Sequence, residues 1–176
     1  MGLNDFLSNA VKIAGHEGND DHVVLSSRVR LVRNVNGRTF PGRAKKEDRV
    51  ETCGLIQPAV SGLSAMRGGY SESMANLKAL QKQLLVERHH ISREHAAKSA
   101  GSALVINKEQ TVCVMINEED HLRMQALMPG LQLKQAWQKI DRIDTSLEKK
   151  LEYAFDDRLG YLTACPTNLG TGIRVS

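Results

Sequence analysis

Few features of membrane, secreted or metal-binding proteins occur in this 176-residue sequence. The longest apolar run covers only residues 111–116, whereas a membrane-spanning helix needs roughly 20 apolar residues. The N-terminus has no basic region followed by an apolar stretch and a small-residue cleavage site, so it lacks the features of a secretion signal. From these absences we expect a cytoplasmic protein without membrane contact.

The cysteines and histidines lack the spacing of metal ligands. The three cysteines are odd in number and far apart: Cys53, Cys113 and Cys165. No CxxC pair occurs, so neither a zinc site nor a disulfide framework is predicted. His89, His90 and His95 lie close together, but no cysteine or carboxylate stands at ligand spacing around them. We interpret them as polar residues at helix ends and predict no metal site.

Aromatic residues make up only 4% of the chain, and the formal net charge is a modest +4. No basic run is interleaved with aromatic residues, so nucleic-acid binding is not favoured. The usual phosphate-binding loops are also absent: the sequence has neither GxxxxGK nor GxGxxG, and no HRD or DFG element of protein kinases. A cluster of arginines that serves a small polyanion explains the charge equally well. If nucleotide phosphates bind to this chain, arginines must hold them.

Hydrophobic periodicity predicts an α+β fold, with strands mixed among long helices and no regular βαβ rhythm. We expect a short helix and a mobile lead-in over residues 1–20, a strand over 23–31, and loops over 34–50 and 61–73. A helix is predicted from Ser71 to near Arg88. Its apolar face is expected to consist of Met74, Leu77, Leu80, Leu84 and Leu85.

The second half of the chain predicts a hairpin and a long helix. Ser92 is expected to cap a short helix, and residues 103–107 and 111–116 are expected to pair as two strands. The long helix is predicted over 131–155, with a break where Thr145-x-x-Glu148 resembles a capping box. A strand over 161–164 and a loop over 166–172 complete the prediction. We expect a lead segment, 1–21, and one domain, 22–176.

Two arginines alternate on the first predicted strand. Residues two apart on a strand point to the same face at about 7 Å, which places Arg28 beside Arg30. Guanidinium groups held at that distance repel each other by roughly 2 kcal/mol at an effective dielectric constant near 20. An anion between them reverses the sign, and the arginine fork suits phosphate oxygens. The alternative is a solvated strand face.

Three consecutive carboxylates follow the second strand of the hairpin, in the segment that ends at Arg123. Glu118, Glu119 and Asp120 could bind a cation or form a substrate clamp. The alternative is a polar turn at the end of a strand. A metal site is less favoured, because adjacent carboxylates on a strand alternate between faces.

The third segment runs from Cys165 to Arg174. Gly170 and Gly172 allow the backbone to approach a ligand closely, and their amides could hold an anion. A nearby cation would stabilise the thiolate of Cys165. The alternative is a buried structural cysteine followed by a tight turn.

The segments LSSRVR, NEEDHLR and CPTNLGTGIR, in this order, resemble the signature segments of phosphagen kinases such as arginine kinase and creatine kinase. GLQLKQAW and DDRLGYLTA are also similar to the family, and the similarity covers residues 22–176. The short lead before LSSRVR, the RN that follows it, and LLVERHHIS resemble bacterial protein-arginine kinases in particular.

The resemblance implies an antiparallel β-sheet flanked by helices, the guanidino-kinase and glutamine-synthetase-like catalytic fold. It implies an ATP:guanidino phosphotransferase that moves the γ-phosphoryl group to a guanidinium nitrogen, here of protein arginine. Mg²⁺ would be held through phosphates and water rather than by the protein. The residues implied to contact the ATP phosphates are Arg28, Arg30, Arg123 and Arg174.

The same resemblance assigns three further roles. His89 aligns with a histidine near the nucleotide, Glu119 with the carboxylate that orients the substrate guanidinium, and Cys165 with a reactive cysteine beside it. The catalytic set is therefore expected to be Glu119, Cys165, Arg123 and Arg174.

The family's catalytic domain continues beyond the last of these segments, with more strands, a further arginine and a loop that carries a second substrate carboxylate. We therefore expect a C-terminally incomplete catalytic domain with one of the two carboxylates. An unpaired sheet edge is expected to favour association with another copy of the chain. The alternative function is a non-catalytic nucleotide-binding or interaction module.

Overall fold

The computed structural model describes residues 2–8 and 24–176. The predicted lead-in and Val23 lie outside the described residues. The helices are α1 (Leu3–Ser8), α2 (Lys46–Ser61), α3 (Ala79–Glu87), α4 (Arg93–Ala96) and α5 (Leu133–Glu148). The strands are β1 (Ser26–Arg33), β2 (Tyr70–Ser73), β3 (Ala103–Ile106), β4 (Val112–Ile116), β5 (Leu122–Pro129), β6 (Phe155–Asp156), β7 (Gly160–Tyr161) and β8 (Ile173–Val175).

Six strands form one sheet in the order β2-β3-β4-β5-β1-β8, and every neighbouring pair is antiparallel. The predicted α+β class with an antiparallel sheet flanked by helices is confirmed. The small β6–β7 hairpin stands apart from this sheet. No helix in the described part of the chain is long and apolar enough to span a membrane.

The two faces of the sheet are covered differently. One face packs against α2 and α5 through a continuous apolar cluster that includes Leu31, Met124 and Ile140. On the other face, α1 and α3 cover only the β3–β4 side, where Leu104 and Met115 are buried. The β5–β1–β8 side of that second face carries mainly polar or charged side chains, with Val32 and Leu127 as buried apolar exceptions. This partly covered face positions the candidate site.

Two local predictions are confirmed. The strands over 103–107 and 111–116 pair as β3 and β4. Ser92 caps α4, because its Oγ accepts the backbone N–H of His95 at 3.0 Å.

The helix predicted from Ser71 is wrong in its first half. Ser71 lies in β2, which pairs with β3, and α3 begins only at Ala79. Met74 and Leu77 are buried in the connection before the helix, while Leu80 is 78% exposed. Pairing with a strand that lies far along the chain has overridden the helical spacing.

The loop predicted over 34–50 ends earlier than expected, since α2 begins at Lys46. This helix contains Gly54 and Pro58, which weaken its sequence signal. Its buried side chains are Thr52, Cys53, Ile56 and Val60.

The long helix is shorter than predicted. α5 ends at Glu148, and Thr145 lies within it, so the capping-box break is wrong. Leu151 and Ala154 are buried in the extended segment that follows. The strand predicted over 161–164 is reduced to the two residues of β7. β5 and β8 have no counterpart in the sequence-based assignment.

Candidate active site

Four arginines converge on the partly covered face of the sheet. Arg28 and Arg30 alternate along β1, and Arg30 lies directly opposite Arg174 of β8. On the other side of β1, Arg123 of β5 lies opposite Val32. Since neighbouring strands are about 4.8 Å apart, these three strands bring the four guanidinium groups into one cationic cluster.

The arginines of this cluster repel one another. Burial and the neighbouring guanidinium groups of Arg28, Arg123 and Arg174 lower the pKa of Arg30 to about 10, with Glu118 acting in the opposite direction. Burial, Arg123 and Arg174 also lower the pKa of Arg28. The buried Nε of Arg30 has no hydrogen-bond partner among the described residues. An anion placed in the cluster would relieve the repulsion and accept these donors.

Arg123 differs from the other three because it has a counter-ion. Its Nη1 donates to both carboxylate oxygens of Glu118, at 2.7 and 2.8 Å. Glu118 is 2% exposed and also accepts the Ser92 hydroxyl at 2.6 Å. Burial favours a higher pKa for Glu118, but the hydrogen bonds from Arg123, Ser92 and the Glu119 amide outweigh it and lower that pKa. The sequence analysis gave Glu118 no separate role.

Glu119 presents a carboxylate beside the cationic cluster. Its side chain is exposed and makes no hydrogen bond or ion pair with any residue that the structure describes. Partial burial, Asp120 and Glu118 raise its pKa, Arg123 lowers it, and Glu94 raises it further. Glu119 is therefore free to hold a cationic group and is a better proton acceptor than an ordinary glutamate.

Cys165 lies across the same cleft, at the start of a 3₁₀ turn over Pro166–Asn168. Its Sγ is half-buried and 3.0 Å from the Oγ1 of Thr167. The residues that line the cleft are Arg30, Val32, Glu119, Arg123, Cys165, Thr167, Asn168, Gly172 and Arg174. The structure thus brings both ends of the expected site into one cleft.

A close backbone approach sets the position of Arg174. Gly172 has a φ of +70°, and a Cβ at this position would lie 2.6 Å from the carbonyl oxygen of Val32. The Gly172 amide closes the preceding turn by donating a hydrogen bond to the Asn168 carbonyl oxygen at 3.0 Å. Only glycine allows the chain to pass this close to β1, and β8 starts one residue later.

His89 and Arg28 do not line the cleft. The His89 ring is exposed, and its φ of 59° places it in the left-handed region. The carbonyl oxygen of His89 accepts a hydrogen bond from Nε2 of Gln125. Gln125 lies opposite Arg30 in the sheet, so His89 stands above the face that carries the arginine cluster. The positioning role of Gln125 had no signal in the sequence.

The other two histidines of the predicted helix end are buried. Burial lowers the pKa of His90 and His95 to about 4, so both rings are neutral at pH 7. A ring nitrogen of His95 lies 3.0 Å from the carbonyl oxygen of Ala103. Among the described residues, no group of three or more histidines, cysteines or carboxylates is arranged to hold a metal ion.

A family model described as ATP:guanido phosphotransferase, C-terminal catalytic domain, matches residues 55–176. A protein-arginine kinase of Halothermothrix orenii is 42% identical over 178 residues, which cover 100% of this chain and 50% of the relative. A protein-arginine kinase of Pelotomaculum thermopropionicum is 42% identical over 163 residues, covering 91% of this chain and 46% of the relative. The chain spans about half the length of the curated relatives it matches.

Solved structures share the fold. The duplicated taurocyamine kinase from Schistosoma mansoni, solved with bound transition state analog components, has a TM-score of 0.81 at 28% identity, and the match covers 98% of this chain and 28% of that one. Lombricine kinase has a TM-score of 0.77 at 29% identity, and the match covers 96% of this chain and 50% of that one. These similarities confirm the guanidino-kinase fold that the sequence segments imply.

Proposed function

The chain belongs to the ATP:guanido phosphotransferase family, and on that premise we propose that its cleft transfers the γ-phosphoryl group of ATP to a guanidinium nitrogen. One observation carries the proposal: Arg30 and Arg174, which have no counter-ion among the described residues, line one cleft with the carboxylate of Glu119, which has no partner among them either. The cationic side suits a polyphosphate, and the carboxylate suits a guanidinium. Arginine in proteins is the proposed acceptor, since the relatives that match are named protein-arginine kinases.

The donor side uses Arg28, Arg30, Arg123 and Arg174. An arginine guanidinium can donate two parallel hydrogen bonds to phosphate oxygens. The buried Nε of Arg30 has no acceptor among the described residues, so a phosphate oxygen could accept its hydrogen bond. Phosphoryl transfer depends mainly on positioning and on neutralising charge that spreads over the moving group. Mg²⁺, bound through ATP phosphates and water, would supply further neutralisation of that charge. His89 is proposed to lie near the nucleotide.

The acceptor side uses Glu119 and Cys165. A guanidinium is a poor nucleophile while it is fully protonated, because its pKa exceeds 12. The Glu119 carboxylate would accept two of its N–H groups and orient one nitrogen toward the γ-phosphorus. The raised pKa of Glu119 suits it to take the proton that this nitrogen loses. Cys165 would contact the guanidinium from the opposite side.

The reaction balances without any further reactant. A bond forms between the acceptor nitrogen and the γ-phosphorus, and the bond from that phosphorus to the β–γ bridging oxygen breaks. The electron pair leaves with ADP, whose charge the arginines stabilise. The proton passes from the acceptor nitrogen to Glu119 and then to solvent.

The direct test is phosphotransfer by the full chain. Incubation with ATP, Mg²⁺ and an arginine-rich protein should yield acid-labile phosphoarginine, measured by mass spectrometry under neutral conditions. Arg28→Ala should lower the yield strongly, whereas Arg142→Ala, an exposed arginine of α5, should not. Product no greater than that of Arg28→Ala would overturn the proposal.

A non-catalytic nucleotide-binding role is the second candidate. It is favoured by the arginine cluster, which suits a polyphosphate whether or not a guanidinium binds at Glu119. It predicts that calorimetry detects ADP binding, that Arg30→Ala weakens this binding, and that no phosphoarginine forms. Absence of nucleotide binding would remove both candidates.

A further inference from the structure

A buried polar network lies behind the acceptor side of the cleft. Asn34 and Asp120 are each 1% exposed. Nδ2 of Asn34 donates to Oδ1 of Asp120 at 2.6 Å and to the Leu162 carbonyl oxygen at 3.0 Å. The same Asp120 oxygen accepts the Ala164 amide at 2.7 Å. Oδ1 of Asp120 and the side chain of Asn34 are satisfied in this way, as buried polar groups usually are, whereas the buried Oδ2 of Asp120 has no hydrogen-bond partner among the described residues.

The network fastens three distant segments to one another. Oδ1 of Asn34 accepts the His121 amide at 2.8 Å, which fixes the turn that carries Glu119. The Asn34 carbonyl oxygen accepts the Ala154 amide at 2.8 Å. Asp120 is the neighbour of Glu119, and Ala164 is the neighbour of Cys165. Two side chains therefore connect the end of β1 with both candidate acceptor residues.

Charge gives a second connection between the network and the site. Partial burial is the largest cause of the raised pKa of Glu119, and the adjacent carboxylate of Asp120 is the next. The other charged groups that act on Glu119 are Glu118 and Glu94, which raise its pKa, and Arg123, which lowers it. Asp120 thus influences the protonation of Glu119 as well as its place.

We propose that Asn34 and Asp120 are positioning residues that hold Glu119 and Cys165 at a fixed separation. The inference rests on the proposed function for its catalytic meaning. Neither side chain lines the cleft, so both act through their neighbours. The donor side does not depend on them, because none of the four clustered arginines hydrogen-bonds to either residue in the described structure.

The first test separates local positioning from general stability. In Asn34→Ala, hydrogen exchange at the His121 and Ala164 amides should accelerate by roughly tenfold, the effect of losing one buried hydrogen bond in a locally opening segment. Exchange in β3 and β4 should not change. Asn36→Ala is the matched control, since the exposed Asn36 side chain donates to Glu152 and makes no other hydrogen bond within the described ranges. Unchanged exchange at His121 and Ala164, or equal acceleration throughout the sheet, would overturn the proposal.

The second test separates charge from geometry. Asp120→Asn keeps an oxygen that can accept the Ala164 amide but removes the negative charge. The pKa of Glu119 should then fall, so the acidic limb of the pH profile of phosphotransfer should move to lower pH, while exchange at Ala164 stays slow. A limb that does not move, or that moves to higher pH, would overturn the charge assignment.

The third test identifies the side of the cleft affected. Asn34→Ala should raise the acceptor KM or lower kcat severalfold, with the ADP dissociation constant within twofold of wild type. Equal loss of ADP affinity would overturn the proposal. If the chain forms no phosphoarginine at all, the proposed function fails, whereas the exchange results at His121 and Ala164 still decide whether the network positions the two segments.

Discussion

Arg123 of β5 and Glu118, five residues before it, form a partly buried ion pair in which one guanidinium nitrogen donates to both carboxylate oxygens, at 2.7 and 2.8 Å. In the described part of the chain, the other three arginines of the cluster have no carboxylate partner. The orientation of Arg123 is therefore fixed before any ligand binds. Preorganised donors of this kind stabilise developing charge without reorganising during the reaction.

Replacing Glu118 by glutamine should destabilise the fold in a pH-dependent manner. The pKa of Glu118 is lowered in the folded state, so its contribution is present above the unfolded pKa of about 4.3 and is lost as pH falls through the folded value. At pH 7 we expect Glu118→Gln to lower the free energy of unfolding by about 1–3 kcal/mol. Urea unfolding at pH values from 7 to 3 measures the difference.

Glu47→Gln is the control for this experiment, because Glu47 is exposed on α2 and its replacement should change the free energy of unfolding little. The gap between wild type and Glu118→Gln should narrow on acidification. A gap that widens as pH falls would contradict the role assigned to the ion pair.

Arg30→Met should weaken nucleotide binding without lowering the stability of the ligand-free protein. Burial, and then repulsion by the neighbouring guanidinium groups, lower the pKa of Arg30, so removing its charge relieves both penalties. A lost charge-assisted hydrogen bond is worth about 1.5–3 kcal/mol, which corresponds to a loss of roughly 10- to 150-fold in ADP affinity. Titration calorimetry gives the affinity, and thermal unfolding without anions gives the stability.

The matched variant for this comparison is Arg142→Met, on the exposed face of α5. It should bind ADP as wild type does. If Arg30→Met lowers the melting temperature in anion-free buffer and binds ADP as wild type does, the arginines do not form a mutually repulsive anion-binding cluster.

The β3–β4 hairpin and the arginine pattern of β1 could be predicted from local sequence, whereas the central strand β5 was missed. Residues of β3 and β4 are continuously apolar and flank a polar turn, which is sufficient to indicate a buried hairpin. The alternation of Arg28 and Arg30 already places both on one face. By contrast, β2 and β8 are short edge strands whose state depends on a partner far away in the chain, and such pairing leaves little local signal.

The site residues fall into the same two groups. Ordered motifs led to Glu119, Cys165 and the four arginines, and the structure places most of them at one cleft. Asn34 was not identified from the sequence, because its partner Asp120 lies 86 residues away. Gln125 was missed for the same reason, since it acts by donating a hydrogen bond to the backbone of His89, which lies far away in the sequence. Spacing within a segment cannot reveal contacts between segments.

Two glycine substitutions should change stability in opposite directions. Gly172→Ala places a Cβ 2.6 Å from the Val32 carbonyl oxygen at a φ of +70°, so we expect destabilisation of at least about 1–3 kcal/mol and displaced packing of Arg174. Gly54→Ala lies in the exposed interior of α2 with nothing within 4 Å of the new Cβ. It should stabilise the protein by about 0.5–1 kcal/mol.

Urea unfolding of both variants, with ADP titration of Gly172→Ala, measures the two effects. ADP affinity should fall in Gly172→Ala and remain unchanged in Gly54→Ala. A neutral Gly172→Ala would show that β8 does not depend on the close approach to Val32.

Alkylation should distinguish Cys165 from the other two thiols. The thiolate is the reactive form, and burial raises the pKa of Cys53 to about 11 and raises that of Cys113 further. Cys165 is the most exposed of the three and lies at the cleft. Iodoacetamide at pH 7.5 should therefore add one adduct to the native chain, identified on Cys165 by peptide mass spectrometry, and three in urea. Cys165→Ser should take up none while folded; a native adduct on Cys53 or Cys113 would mean that the sheet and α2 open more readily than their packing implies.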